Sequence, residues 1–439
     1  MASVDLRAPL RLLGRAPDLR LLLGAGLVSM TGDRVLGIGL AYSIYALTGS
    51  TLASATALLS AFVPQVVIGS VAGVLVDRWD RKRTMVLTNV LLAAGLLPLL
   101  LVSGTSRIWL VYVVLAAEAC VEVFFSPAEQ AFLPRVVGDR DLVAANGLNG
   151  QMSNLARLVG SGLGGVVAAL GGIRAVAVVD AVSFLLAAAL VARIRTGGTV
   201  LAIDAPDPAE APDAAADDAA GAVRGRLAAL VGEWRDGVRT VAGNRVVSTL
   251  VIALLVTSTG EGIMGTLFAP FVRHVLHGSG QVYGVISGVQ AIGGLAGGFA
   301  VAAVAERWSP VTMVWVGSIL FGLVDLAIFA YPLVWVSPWP AAAGMVLVGL
   351  PGAVVVAGTM TLFQRCTTDA HRGRVFSLMA LAQAVSVVVG STLAGLWGGP
   401  SGIIPILALQ GVGYVVAGLL VLARLGAREG SLDLAPTRS

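Results

Sequence analysis

The stretch GSVAGVLVDRW at residues 69–79 returns as GFAVAAVAERW at residues 298–308, displaced by 229 positions. In each copy an apolar run ends in an acid, an arginine and a tryptophan. Asp77-Arg78-Trp79 falls on Glu306-Arg307-Trp308. A second pair, ARLVGSGLGGVV at 156–167 and SVVVGSTLAGLW at 386–397, keeps nearly the same displacement, 230. Small residues recur every four positions in both: Ala156, Gly160, Gly164, Ala168 against Ser386, Gly390, Ala394, Gly398. Residues four apart share a helix face, so each segment presents a smooth stripe on which another backbone can lie closely. Two matches at nearly one displacement predict a chain made of two like halves.

Composition says what the halves are made of. Of 439 residues, 57% are hydrophobic and 12% charged, the latter about half the soluble norm of ~25%. The apolar residues gather in runs of 18 or more, which is the pattern of transmembrane helices. Twelve spans are expected, at 19–47, 51–76, 83–104, 107–134, 142–170 and 173–193, then 245–272, 280–305, 310–331, 338–365, 372–398 and 401–424. Each can cross ~30 Å of hydrocarbon at ~1.5 Å per residue. The expected fold is an all-α integral membrane protein, two pseudo-symmetric bundles of six helices. Residues 1–193 form the first bundle, 194–244 a linker, 245–424 the second bundle and 425–439 a tail.

The basic residues orient the spans. Of 29 lysines and arginines, Arg107, Arg174 and Arg273 fall in connections on one side, Arg34 and Arg157 fall within spans, and the other 24 lie on the opposite side. Positive loops stay in the cytoplasm, so both termini are expected there, in a multi-pass protein of the plasma membrane. Arg7, Arg11, Arg15 and Arg20 precede the first apolar run, so no cleavable leader is read. The middle connection differs in kind. DAPDPAEAPDAAADD, residues 204–218, holds six acids, three prolines and no base, a composition that cannot bury a core. After it, Leu227, Leu230, Val231, Trp234, Val238 and Val241 share a helical face. That helix either lies on the anionic inner leaflet or extends span 7 into the cytoplasm.

Several function classes are excluded at this level. The single lysine, Lys82, follows no glycine-rich loop, so there is no phosphate-cradling nucleotide motor. Cys120 and Cys366 lie in or at the end of apolar spans and read as small hydrophobes. His274, His277 and His371 sit at span ends beside no nucleophile or metal cluster. No enzyme activity, cofactor, metal or nucleic-acid partner is expected.

Taken together, these residues resemble the major facilitator superfamily of transporters. GVLVDRWDRKR at 73–83 is similar to the superfamily's loop signature between helices 2 and 3, with Asp80 where glycine is usual. FFSPAEQAFLPRVV at 124–137, LVAANGL at 142–148, VVDAVSFLLAA at 178–188, EWRDGVR at 233–239 and RGRVFSL at 372–378 resemble the branch of enterobactin and of macrolide or multidrug exporters. GSGLGG at 160–165 resembles the helix 5 motif of superfamily antiporters, with Ser161 in place of the proline and Gly160, Gly164 and Gly165 as its packing glycines. The resemblance implies a conformational latch formed by Gly73, Asp77, Arg78 and Arg81, in which Asp77 meets the N-terminus of span 11. It also implies that spans 1, 4, 7 and 10 line a central cavity while 3, 6, 9 and 12 lie outside.

Ionisable groups inside spans are costly and face a cavity or a partner. Six acids lie deep: Asp33, Glu118, Glu122, Asp180, Glu261 and Asp325, with two deep bases, Arg34 and Arg157. The cavity set is therefore Asp33, Arg34, Glu118, Glu122, Arg157 and Glu261, while Asp180 and Asp325 read as structural hydrogen-bonding acids. Asp33 is about 14 residues into its span, ~20 Å, and Glu118 about 11 residues into its own, ~17 Å, so both lie near mid-membrane. Glu118 and Glu122 are one helical turn apart, ~6 Å. Two charges there repel by ~3 kcal/mol at an effective dielectric of ~20, so the pair is not expected to be doubly ionised in a dry site. One of the two is expected to carry a proton, unless Arg34 or Arg157 neutralises both. Phe124, Phe125 and Phe268 are the aromatics expected near a substrate. The expected activity is proton-coupled export of an amphipathic small molecule by a monomer in the bilayer; a proton-symport importer and a non-transporting membrane partner are the alternatives.

Overall fold

In hydrocarbon no water is available to the backbone, so a spanning segment satisfies its N–H and C=O groups internally, as a helix. The computed structural model describes residues 8–76, 79–138, 141–197, 243–304, 307–366 and 369–426. Among these residues the chain is helical nearly throughout and holds no strand. The first bundle holds α1 (Pro17–Thr48), α2 (Thr51–Val76), α3 (Arg81–Gly95) and α4 (Trp109–Val137). Leu142–Ala192 follows as one run of 51 residues broken at Gly172, giving α5 (142–171) and α6 (173–192). The second bundle holds α7 (Arg245–Pro270), α8 (Gly280–Val304), α9 (Pro310–Ala330), α10 (Pro338–Cys366), α11 (Asp369–Trp397) and α12 (Ile403–Leu425). A short helix, Ala8–Arg15, precedes α1. Among the described residues, the twelve expected spans are occupied by twelve helices. By length and composition alone, eight described runs can cross a membrane, one of them the bent pair α5–α6.

Local chemistry sets the ends. Gly49, at φ 62, closes α1 by donating its N–H to Tyr45 O, a left-handed cap that glycine adopts without strain. Asp80, which departs from the family's glycine, is the N-cap of α3: its side chain accepts from Arg83 N at 2.8 Å. Asn244 caps α7 and Ser309 caps α9 in the same way. The third span differs from expectation. Its α-helix stops at Gly95 and continues as a 3₁₀ turn, Leu97–Leu101, because Pro98 has no N–H for the α ladder. The acidic segment 204–218 and the amphipathic face 227–241 lie outside the described residues, as do Asp77 and Arg78.

Gly172, at φ 60 and ψ −151, turns α5 into α6. That region is open essentially to glycine alone, and a side chain there costs about 1–3 kcal/mol. Gly172→Ala is therefore expected to lower the unfolding temperature of the purified protein in detergent; an unchanged melt would show that the hairpin does not depend on this backbone geometry.

The apolar core is interrupted at one level. In the first bundle, α1 contributes Leu19, Leu22, Leu23 and Ala25 to one buried cluster and Val35, Leu36, Leu40 and Ile44 to another. In the second, α7 divides likewise, with Val246, Val247, Leu250 and Val251 in one cluster and Ile263, Leu267, Phe268 and Ala269 in the other. Ser29, Thr31, Asp33 and Arg34 of α1 and Thr257, Ser258, Thr259 and Glu261 of α7 fall in the gap between clusters.

The halves meet at the end away from the chain termini. Thr51 Oγ1 on α2 donates to Gly395 O on α11 at 3.1 Å. Arg273, beyond α7, donates to Tyr42 Oη on α1 at 3.0 Å and lies over its ring; Tyr42 stacks on Tyr283 of α8. Gly165 of α5 lies so close to α8 that a Cβ would come within 2.1 Å of Gly280 O.

Candidate functional site

Asp33, Arg34, Glu122, Arg157 and Glu261 sit at mid-length of their helices, where an apolar chain in lipid would bury nothing charged, yet all five are solvent-exposed. They come from α1, α4, α5 and α7, and their electrostatic neighbours are one another. Deep, exposed and within electrostatic reach of one another, they form one polar level that joins the two halves.

On the first-bundle wall four carboxyls gather. Asp33 interacts with Asp180 and Glu122 as well as with Arg34 beside it. Glu118 interacts with Asp180, Asp33 and Glu122. Asp180 is fully buried and its Oδ1 accepts from Ser183 Oγ at 3.0 Å. Its Oδ2, like Glu118 Oε1, is buried with no hydrogen-bond partner among the described residues.

Asp180 makes a structural hydrogen bond of the kind expected of it, to Ser183, and lies beside Asp33 as well. The cause of that approach is Gly32: a Cβ there would lie 2.3 Å from Asp180 Oδ1 and 2.0 Å from Ser183 Oγ. The missing side chain lets α6 press its acid against α1, next to Asp33.

The second-bundle wall is built alike. Glu261 Oε1 accepts from Tyr414 Oη of α12 at 2.7 Å, and Tyr414 stacks on Phe321 of α9 at 4.1 Å. Asp325 of α9, buried, lies within electrostatic reach of both Glu261 and Tyr414. Asp325 Oδ2 and Gln410 Oε1 are buried without a partner among the described residues. Arg157 joins the two walls, since it interacts with Arg34 of the first bundle and Glu261 of the second.

A sequence signal for this symmetry exists and the span-by-span reading missed it. Thr31-Gly32-Asp33 returns as Thr259-Gly260-Glu261 at a displacement of 228. Both threonines bond back one turn, Thr31 to Leu27 O and Thr259 to Leu255 O. As Gly32 admits Asp180, Gly260 admits Gln410, whose Cγ would meet a Cβ at 2.9 Å; Asp180 and Gln410 are themselves 230 apart.

The remaining expected residues lie elsewhere. Gly160 and Gly164 pack on α1: a Cβ would meet Thr31 O at 2.6 Å and Val35 O at 2.9 Å. Gly165 faces α8 instead. Gly73 lies in α2, and Arg81 Nη1 donates to Ala131 O of α4 at 3.3 Å. The aromatics do not line the cavity as expected. Phe268 is buried in the second bundle against Phe271 and Tyr283, Phe124 pairs with Trp79, and Phe125 packs on the first bundle's core. Tyr414 is the aromatic at the polar level.

Comparison with known proteins adds independent findings. The family model described as Major Facilitator Superfamily matches residues 22–249 and 250–437. An uncharacterised MFS-type transporter of Bacillus subtilis is 29% identical over 171 residues, 38% of this chain and 40% of that protein. Macrolide efflux protein A of Streptococcus pyogenes is 26% identical over 170 residues, 38% of this chain and 42% of its own. The chain thus spans about two fifths of the length of these relatives. An uncharacterised MFS-type transporter of Mycobacterium tuberculosis is 27% identical across 97% of this chain and 95% of its own. Among solved structures, a peptide transporter in complex with sulfate superposes with TM-score 0.73 at 17% identity, covering 95% and 96% of the two chains. A bacterial homologue of the iron transporter ferroportin, in an inward-facing state, gives TM-score 0.71 at 14% identity over 93% and 98%.

Proposed function

The chain belongs to the major facilitator superfamily of membrane transporters, and from that premise we propose that it exports amphipathic small molecules of drug, antibiotic or siderophore type in exchange for protons. The observation that carries this reading is the polar level between the bundles. Six acids, Asp33, Glu118, Glu122, Asp180, Glu261 and Asp325, share it with two arginines, Arg34 and Arg157. Acids in excess over bases favour a cationic or neutral substrate and leave carboxyls for protons to occupy. In this reading both termini are cytoplasmic, so the seal at Tyr42, Gly165 and Thr51 faces outward and the cavity opens inward. Rocking of the halves exposes the acids to each side in turn. A proton entering from outside displaces the substrate, and the deprotonated site recruits the next one from within.

The match to macrolide efflux protein A, over part of the chain, supports export. The proposed latch of Gly73, Asp77, Arg78 and Arg81 and the packing glycines of α5 serve the alternation, with no cofactor. The test uses everted membrane vesicles carrying the chain, acidified inside, with ethidium and erythromycin as probes. Uptake that requires the pH gradient and stops with a protonophore is expected. Gradient-driven uptake in right-side-out vesicles instead would establish an importer and overturn the direction.

A further inference from the structure

Away from the central cavity, the terminal end of the first bundle carries a groove of about 520 Å³, lined by Asp80, Lys82, Arg83, Leu87, Val90 and Arg195 among others. Three lining bases face one lining acid there, with Asp18 at the floor a second acid within reach of Arg195; both acids are engaged, Asp80 Oδ1 accepting from Arg83 N. The cap leaves the attraction to side chains and not to the helix end. The floor is built. Lys82 Nζ donates to Ile194 O at 2.7 Å, holding the end of α6 against α3. Asp18 accepts from Arg195 N, Thr196 N and Thr196 Oγ1, at 2.7 to 3.2 Å, holding the same strand of chain against α1. The Lys82 ammonium keeps two protons for another acceptor, while Arg83 and Arg195 are exposed.

The second observation is what lies beside the bases. Arg83, Leu87, Val90 and Ala94 share one outward stripe of α3, at positions separated by three or four, and Leu87 is 58% and Val90 41% exposed. The stripe runs from the water boundary into the span Arg81–Leu101. A cationic mouth continuous with an exposed apolar wall matches one ligand shape: a phosphodiester headgroup on two acyl chains. We propose that this groove binds an anionic phospholipid, its phosphate between Lys82, Arg83 and Arg195 and its chains along Leu87 and Val90. Site and ligand are independent of the transported substrate and of the direction of transport. Occupancy would tie α1, α3 and α6 to the membrane surface at one point of the first bundle, a fixed frame against which the other half can rock.

Native mass spectrometry of the full chain in detergent tests this, with phosphatidylglycerol and phosphatidylcholine of identical acyl chains. Phosphatidylglycerol is expected to be retained at least about tenfold better. Each surface base contributes about fivefold, so Arg83→Gln with Arg195→Gln is expected to weaken it about 30-fold. Arg83→Lys with Arg195→Lys restores most of the binding, which separates charge from misfolding. Arg107→Gln, an exposed base in another connection, leaves binding unchanged. Three outcomes overturn the proposal: equal retention of the two lipids; displacement by glycerophosphate at equal concentration, which would make this a free-phosphate site; and binding seen only after the acids of 204–218 are neutralised, which would make the chain's own acidic segment the occupant.

Discussion

Glu118→Gln combined with Glu122→Gln is expected to abolish gradient-driven transport while leaving the protein folded and its cavity shape unchanged. The two residues stand one turn apart on α4, and both lie within electrostatic reach of Asp33 and Asp180. Glutamine keeps the size and the polar head but cannot exchange a proton. With the pair fixed in a neutral form, protons can no longer compete with substrate there; Asp33 and Glu261 remain to hold the substrate, so the site still binds it more weakly and turns over by exchange, but the gradient no longer drives it. The initial rate of pH-driven uptake into everted vesicles should fall about 100-fold in the double variant and about tenfold in either single one. Counterflow of labelled against unlabelled substrate, with no gradient, should keep at least about half its rate, because that reaction asks only for binding and rocking. This split separates a coupling role from loss of binding. Full gradient-driven rates in the double variant would remove the pair from the mechanism and leave the acids as a static network neutralised by Arg34 and Arg157.

The comparison of sequence with structure divides along a physical line. The fold was legible because lipid leaves the backbone so few solutions: length and polarity alone placed twelve helices, and the repeat at 69–79 and 298–308 paired them into halves. Helix rotation was not legible. An apolar helix in a bundle is hydrophobic all round, so its periodicity does not say which side faces the centre. Hence Phe124 and Phe268 were expected near a substrate and instead pack on Trp79 and Tyr283. The acids of α1, α4 and α7 announced themselves, since charge in a span demands a reason. Their partners did not, because Asp180 reaches Asp33 only through the absent side chain of Gly32, a contact between helices far apart in the chain. The recurring Thr-Gly-acid triplet was the available clue, and it reads as a close approach only once the neighbour of each glycine is known.

Gly165→Val should stop transport altogether and leave the molecule unable to hold its seal at the end away from the termini. A Cβ at Gly165 would lie 2.1 Å from Gly280 O and 2.8 Å from Gly284 Cα; one at Gly284 would lie 2.8 Å from Ser161 O. These are backbone atoms of facing helices from opposite halves, so no side chain can turn aside. To reach a normal carbon contact of ~3.5 Å the helices must part by more than ~1 Å, which also loosens the Tyr42–Tyr283 stack, since Tyr42 lies against Gly280. A penalty of ~3 kcal/mol on the sealed state shifts its population about 150-fold, enough to leave one face of the cycle nearly unvisited. Two readouts follow. Gradient-driven uptake falls to background, and an Ala41→Cys probe, in a protein whose Cys120 and Cys366 have been replaced by alanine, becomes reactive to an impermeant maleimide applied at the sealed face. Ala41 packs against the second bundle's core and is half-buried while the seal holds, so its reactivity should rise when the helices part. Gly162→Val, whose Cβ would meet nothing within 4 Å, is the matched control and should change neither. Were Gly165→Val to transport at the parental rate with the Ala41→Cys probe still protected, the α5–α8 backbone contact could not be the seal on which alternation depends.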